Sequence, residues 1–261
     1  MKKIIVHDIN DPLLAVYHAQ RDKGILGDGS FIADSPKVVN LLLEQNRLTF
    51  YSILATKEYF TQAKDLLSVA AIPLLYEATK EQMSQIVGHK IHHNCMMHAK
   101  RPADTPLKEL DPTILLLDNI TSSENVGAIA RSMAALGVTS LMFAKSSPHP
   151  FNRRALRVSM GYASRLKIHR YNAIKESIYT LKELGYTIYA AEVTPNAKQL
   201  ATLQVAKKWV LIVGHEGFGI ADDILELCDA VVSIEMQPDV KSFNVAIAAS
   251  IILYSFKNRA P

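Results

Sequence analysis

Apolar positions fall into two successive series of short runs and longer periodic stretches. In the first hundred residues "SFIAD" (30–34), "TFYSILAT" (49–56), "IPLLYEA" (72–78) and "HHNCMMHA" (92–99) are short apolar runs that predict strands. Between them "SPKVVNLLLEQ" (35–45), "KEYFTQAKDLLSVA" (57–70) and "TKEQMSQIVG" (79–88) carry helical spacing; Ser35 followed by Pro36 is a cap with a first-turn proline. "DPLLAVYHAQRDKG" (11–24) predicts a further helix, capped by Asp11 and stopped by Gly24. This alternation predicts a small α/β layer.

The segment "KRPADTPLKELDP" (100–112) has three prolines and no apolar period, which makes it the best linker. Strand-like runs then resume at 114–119, 140–145, 166–171, 187–193, 209–214 and 230–236, with helices between them and an apolar helix after Ser242. Nearly continuous apolar strands alternating with helices predict a mostly parallel sheet covered on both faces. Such sheets bind ligands at the carboxyl ends of their strands, which singles out the loops after 114–119, 209–214 and 230–236.

Composition adds partners and compartment. The 261 residues are 49% hydrophobic and 21% charged, as expected of a globular chain. No secretion signal or membrane-length apolar run is evident, and Cys95 and Cys228 lie far apart, so a cytoplasmic protein with reduced thiols is expected. Net charge is +4. From Asn125 through Lys175 there is no Asp or Glu, while Arg131, Lys145, Arg153, Arg154, Arg157, Arg165, Lys167, Arg170 and Lys175 accumulate. A one-sign block of this length points to a phosphate-bearing partner such as RNA, with Arg153, Arg154, Arg157 and Arg165 as the contact candidates. The alternative is a solvated face whose acids come from elsewhere in the fold. The stretch "GHKIHHNCMMH" (88–98) is rich in His, but its spacing matches no zinc pattern, so strand packing and a surface near RNA are expected there, without a metal.

The first of the three loops opens "NITSSENVGAIARSMAALGV", where Ser122, Ser123 or Asn125 can cap a helix and Gly137 can end it. Asn125, Gly127 and Arg131 form N-x-G-x-x-x-R; an arginine amid apolar residues is ordinarily an ion pair or a snorkelling side chain. The second loop, "GHEGFG", places Gly214, Gly217 and Gly219 around Glu216, in neither the Walker nor the Rossmann order. In the third, a strand is expected to end at Met236, Ser242 to cap the last helix and Asn244 to lie in its first turn.

Together, N-x-G-x-x-x-R, G-x-E-G-x-G and I-x-M-x(5)-S-x-N-V, each after a strand, resemble the three motifs of the SpoU/TrmH family of RNA ribose methyltransferases in the SPOUT superfamily. The likeness covers 113–261, and "RVSMG" (157–161) resembles the family's segment between the first two motifs; the front part is similar to an L30e-like RNA-binding domain. The resemblance implies domains at 1–105 and 113–261 joined by 106–112, with a deep trefoil knot in the second. It implies transfer of a methyl group from S-adenosylmethionine to a ribose 2′-OH of rRNA or tRNA by a homodimer joined through its C-terminal domain. Arg131, Asn125, Glu216, Ser242 and Asn244 match catalytic positions; Gly214, His215, Glu216, Gly217, Ile234, Met236, Phe243 and Asn244 match cofactor positions. Glu216 is then expected either to brace the cofactor loop and pair with Arg131, or to grip backbone N–H groups. The third motif departs from the usual I-P-M-x-G pattern at Glu235 and Pro238. The alternative these substitutions raise is a non-catalytic RNA-binding relative with an impaired cofactor pocket.

Overall fold

The structure, a computed structural model, describes residues 1–18 and 26–259. The chain divides into two compact units, Met1–Ala103 with His149–Ser164, and Asp104–Pro148 with Arg165–Pro261.

In the first unit β1 (Lys2–Ile5), β2 (Ser30–Asp34), β3 (Thr49–Ala55), β4 (Leu74–Glu77) and β5 (Cys95–Lys100) form one sheet ordered β1-β4-β3-β5-β2. Strand β5 is antiparallel to both neighbours, whereas β1, β4 and β3 run parallel. Helices α1 (Pro36–Gln45), α2 (Lys57–Gln62), α3 (Lys64–Val69) and α4 (Lys80–Val87) connect them. The cap of α4 is reciprocal: Thr79 Oγ1 accepts from the Gln82 N–H while Gln82 Oε1 accepts from the Thr79 N–H. Three expectations change. The helix across 57–70 breaks at Ala63 into α2 and α3. The 11–24 helix is a 3-10 turn over Pro12–Tyr17 capped by Asp11, and Gly24 lies outside the described residues. Strand β1 was not anticipated, because "KKII" is too short to show a period.

The second unit holds a seven-stranded sheet in which every pairing is parallel. Its strands are β6 (Thr113–Leu117), β7 (Ser140–Ala144), β8 (Lys167–Tyr171), β9 (Thr187–Ala191), β10 (Lys198–Gln199), β11 (Trp209–Val213) and β12 (Ala230–Ser233), in the order β10-β12-β9-β11-β6-β7-β8. Helices α5 (Ser123–Leu136), α7 (Ile174–Glu183), α8 (Asp222–Leu225) and α9 (Val245–Arg259) belong here, whereas α6 (Arg153–Val158) belongs to the first unit. The continuous apolar runs occupy the centre as expected: β11 is buried at every position. Trp209 packs edge-on against Phe256 of α9, with ring centroids 5.1 Å apart. Full burial of each Leu or Ile in such a strand contributes roughly 1.5–3 kcal/mol. Because β12, β9, β11 and β6 are parallel neighbours, their carboxyl ends share one edge of the sheet.

The contiguous domain division is replaced by a discontinuous one, with 149–164 taken into the first unit. The expected linker at 106–112 is not a free tether: Leu110 is buried, and the Tyr186 hydroxyl lies 3.3 Å from the Leu110 carbonyl and 3.0 Å from that of Asp111. The last strand ends at Ser233 rather than Met236, since its ladders to β9 and β10 go no further. The last helix is capped by Asn244, not Ser242: Asn244 Oδ1 accepts from the N–H groups of Ala246 at 2.9 Å and Ile247 at 3.4 Å. Among the described residues no helix is long and apolar enough to cross a membrane.

Candidate functional site

Beyond β6 the chain turns into α5, and of the three possible caps Ser122 takes the role, its Oγ accepting from the Asn125 N–H at 3.3 Å. Gly137 ends α5 in the left-handed conformation (φ 73°), as expected. After β11 the glycine loop folds back on itself: His215 N–H donates to the Gly219 carbonyl at 3.1 Å, and Gly219 N–H to the His215 carbonyl at 2.9 Å. The His215 ring closes this turn, its Nδ1 accepting from the N–H of Gly217 at 2.9 Å and of Phe218 at 3.3 Å. That arrangement leaves the ring's proton on Nε2.

Glu216 joins the second loop to the first. Its carboxylate accepts from Thr121 N–H and Thr121 Oγ1, both at 3.2 Å, from Ser122 N–H at 3.1 Å and from Asn125 Nδ2 at 2.9 Å. These are donors at the start of α5, where a helix favours an anion. Burial opposes ionisation of Glu216, but the hydrogen bonds from Asn125, Thr121 and Ser122 outweigh it and pull its pKa down to about 2. Asn125 extends the chain of contacts: its Oδ1 accepts from Asn244 Nδ2 at 3.1 Å, and Asn244 in turn caps α9. One relay, Glu216–Asn125–Asn244, therefore ties together three loops distant in sequence.

Beside the relay lies a cavity of about 640 Å³, within the usual size of a small-molecule site. Gly214, His215, Glu216, Gly217, Ile234, Met236, Ser242, Phe243 and Asn244 all line it, which brings every expected cofactor residue to one place. Its acids are Glu192, Glu216 and Asp222, and among the described residues no Lys or Arg lines it. Glu192 escaped the sequence reading. It follows β9 directly, and its two oxygens accept from the N–H of Val193 and of Ile220, both at 2.9 Å, bracing the far end of the glycine loop. The strand-end rule that found the other loops would have found it too.

Two catalytic candidates stand apart. Arg131 is exposed on α5, does not line the cavity and forms no ion pair with Glu216, whose partners are Thr121, Ser122 and Asn125. Ser242 lines the cavity but makes no hydrogen bond to the relay. Glu235 turns out of the cavity, its Oε1 accepting from the Ala201 N–H at 3.0 Å. The basic block is partly neutralised by acids from outside it: Asp34 pairs with Arg153, Asp111 with Lys167, Asp104 with Arg170 and Asp223 with Lys175. Arg154, Arg157 and Arg165 are exposed. No group of three His, Cys, Asp or Glu suited to a metal ion occurs among the described residues.

The sequence profile described as the SpoU rRNA Methylase family matches residues 112–254. An uncharacterized tRNA/rRNA methyltransferase of Mycobacterium bovis is 30% identical over 234 residues, covering 87% of this chain and 81% of its own. Among solved structures, an AdoMet-bound rRNA methyltransferase from Sinorhizobium meliloti superposes with a TM-score of 0.83 at 19% identity, over 98% of both chains. The SpoU methyltransferase AviRb from Streptomyces viridochromogenes, in complex with AdoMet, gives 0.77 at 20% identity over 95% of this chain and 98% of its own. A protein described as an RNA 2′-O ribose methyltransferase gives 0.75 at 18% identity over 99% of both.

Proposed function

The chain belongs to the SpoU rRNA methylase family, and on that premise we propose that it transfers a methyl group from S-adenosylmethionine to a ribose 2′-hydroxyl of rRNA or tRNA in the cytoplasm. The observation that carries this reading is the cavity closed by the Glu216–Asn125–Asn244 relay. The residues fit the cofactor. Ile234, Met236 and Phe243 offer an apolar wall for a purine, while the acids and the absence of Lys and Arg suit a cationic ligand. Gly214 has no side chain, which lets the loop close tightly on Gly219 and Ile220. When bound, the cofactor supplies an electrophilic methyl group.

The chain's own residues then position the acceptor. Asn125 and Asn244, fixed by each other and by Glu216, orient the ribose at the mouth of the cavity. A guanidinium does not give up its proton readily, so Arg131 clamps the target phosphate, and a phosphate oxygen or water takes the hydroxyl proton. Exposed Ile247, Ile251 and Tyr254 leave α9 with an apolar stripe suited to a second copy. A homodimer through α9 places Arg131, on the helix packed against α9, at its border. The same reading gives the second unit a deep trefoil knot and the first unit an L30e-like RNA-binding role. Glu235, held by Ala201 outside the cavity, does not support the non-catalytic alternative.

The test is calorimetry with S-adenosylmethionine, followed by mapping of 2′-O-methyl groups in RNA treated with the protein. Micromolar binding and a new 2′-O-methyl group are expected. Absence of heat at high cofactor concentration would overturn the proposal.

A further inference from the structure

The His-rich stretch 89–93 does not line the cavity beside the relay, yet it lines another, of about 160 Å³, wholly within the first unit. Across this cavity lie Asp34, the last residue of β2, and Arg153 and Arg157 of α6. Asp34 is 3% exposed and accepts from Arg153 Nε at 2.6 Å, with Arg157 Nη1 at 3.8 Å. One buried carboxylate thus pins one guanidinium and leans on a second. It does not neutralise the site: Lys90, Arg153 and Arg157 bring three permanent cations against that single acid. Lys90 is exposed and makes no ion pair among the described residues, and Arg157 is exposed. His92 and His93 add N–H groups at the wall, while burial holds the His93 pKa below its usual value, Asp34 opposing and Arg157 assisting. The ligand such a wall recognises is an anion rich in acceptor oxygens. A neutral or cationic one would leave Lys90 and Arg157 unanswered.

We propose that this cavity is a phosphate subsite, in which Lys90, Arg157 and the imidazoles of His92 and His93 hold a backbone phosphodiester of the RNA substrate. Asp34 is a positioning residue: it fixes Arg153 and aims Arg157 without touching the ligand. The assignment to RNA rests on the methyltransferase reading; the phosphate chemistry does not. It also explains why histidines crowd a segment with no metal-binding spacing.

The experiment uses the full chain with Lys90→Ala and His92→Ala combined, two exposed side chains whose removal leaves the Asp34–Arg153 pair intact. RNA affinity is measured by fluorescence anisotropy across a salt series, with two RNAs of unrelated sequence. Both should bind more weakly by the same factor, and the slope of log K against log salt should become shallower by about 1. In the wild type, inorganic phosphate should move the imidazole NMR signals of His92 and His93. An unchanged salt slope overturns the proposal. Imidazole shifts with phosphate but no change in slope would assign the cavity to a free phosphate and overturn its assignment to RNA. Titration of S-adenosylmethionine into the double variant keeps the two readings apart. Wild-type cofactor affinity is expected there; a wild type that binds no cofactor would sink the methyltransferase reading while the phosphate titration still judges the cavity.

Discussion

The three glycines of the 214–219 loop should respond very differently to alanine, because each faces a different obstacle. A Cβ on Gly214 would lie 2.5 Å from both the C and O atoms of Gly219 and 2.6 Å from Ile220 Cγ1. Carbon contacts are comfortable from roughly 3.5 Å, so the Gly219 backbone must retreat by about 1 Å. That retreat breaks the two hydrogen bonds between His215 and Gly219 and strains the one from Ile220 to Glu192. At about 1 kcal/mol each, the loss is roughly 2–3 kcal/mol, confined to the loop. If the closed loop is what binds S-adenosylmethionine, Gly214→Ala weakens that binding by roughly 30- to 150-fold. At Gly219 the φ of 67° costs an alanine about 1 kcal/mol, but the atoms in the way belong to the Glu192 side chain, which can swing aside with loss of one hydrogen bond. Its penalty should be intermediate, roughly 10- to 30-fold. At Gly217 the nearest atom is His215 Cε1 at 3.6 Å, so alanine fits and affinity should stay within about twofold. The assay is titration calorimetry on the three variants, with circular dichroism to establish that each is folded. Wild-type affinity in Gly214→Ala, or a larger loss at Gly217 than at Gly214, would refute the reasoning.

Glu216 has a folded pKa near 2 against an ordinary value of 4.5, so its contribution to stability is complete above pH 4.5 and is lost as pH falls from there towards 2. Because the carboxylate is largely exposed, screening reduces that contribution to about 1 kcal/mol; urea melts should show Glu216→Gln less stable than wild type at pH 7 and equal to it near pH 2, and parallel pH profiles would contradict this. Arg131→Ala should abolish methyl transfer and leave cofactor affinity intact, since Arg131 does not line its own chain's cavity. If the arginine acts across the dimer, mixing Arg131→Ala with Gly214→Ala should restore about a quarter of wild-type activity through mixed dimers; no recovery would confine Arg131 to its own chain. Ile247→Asp, at a position 52% exposed on α9, should convert a dimer to a monomer in light scattering without loss of helix content; a monomeric wild type would remove the proposed interface.

What was legible in the chain was whatever repeats or whatever a single side chain announces. Apolar runs located β6, β7, β9 and β11 because strands buried on both faces admit little else. Gly137 marked the end of α5 through a backbone requirement that few residues meet, while its start was narrowed only to Ser122, Ser123 or Asn125. The third loop was harder. Its strand stops at Ser233 because the neighbouring strands provide no further partner, a fact about β9 and β10 that local sequence does not contain. Its cap passed from Ser242 to Asn244 because Asn125 stands where Asn244 can use both ends of its amide. The basic block likewise divides according to where Asp34, Asp104, Asp111 and Asp223 arrive, and pairs so distant in sequence leave no local signal.

The same distinction explains how the site is built. A cationic cofactor brings its own charge, so a cavity for it needs no Lys or Arg, and none of the described ones lines it. What it needs is shape, held without flexible side chains: a backbone turn locked at both ends by His215 and Gly219, and one carboxylate taking four donors from the adjoining loop. On the proposed reading, positive charge is needed instead where RNA phosphates would lie; Arg131 stands exposed on α5, and Lys90 and Arg157 flank the cavity of the first unit. Exchanging the two kinds of group would fail at both places. An arginine at the wall of the larger cavity would repel a sulfonium, and a carboxylate in place of Lys90 would repel a phosphodiester. Lys90→Glu should therefore weaken RNA binding more than Lys90→Ala does while cofactor affinity stays at the wild-type value. Equal RNA affinities for the two variants, measured by anisotropy at low salt, would show that charge at this wall is not what the RNA reads.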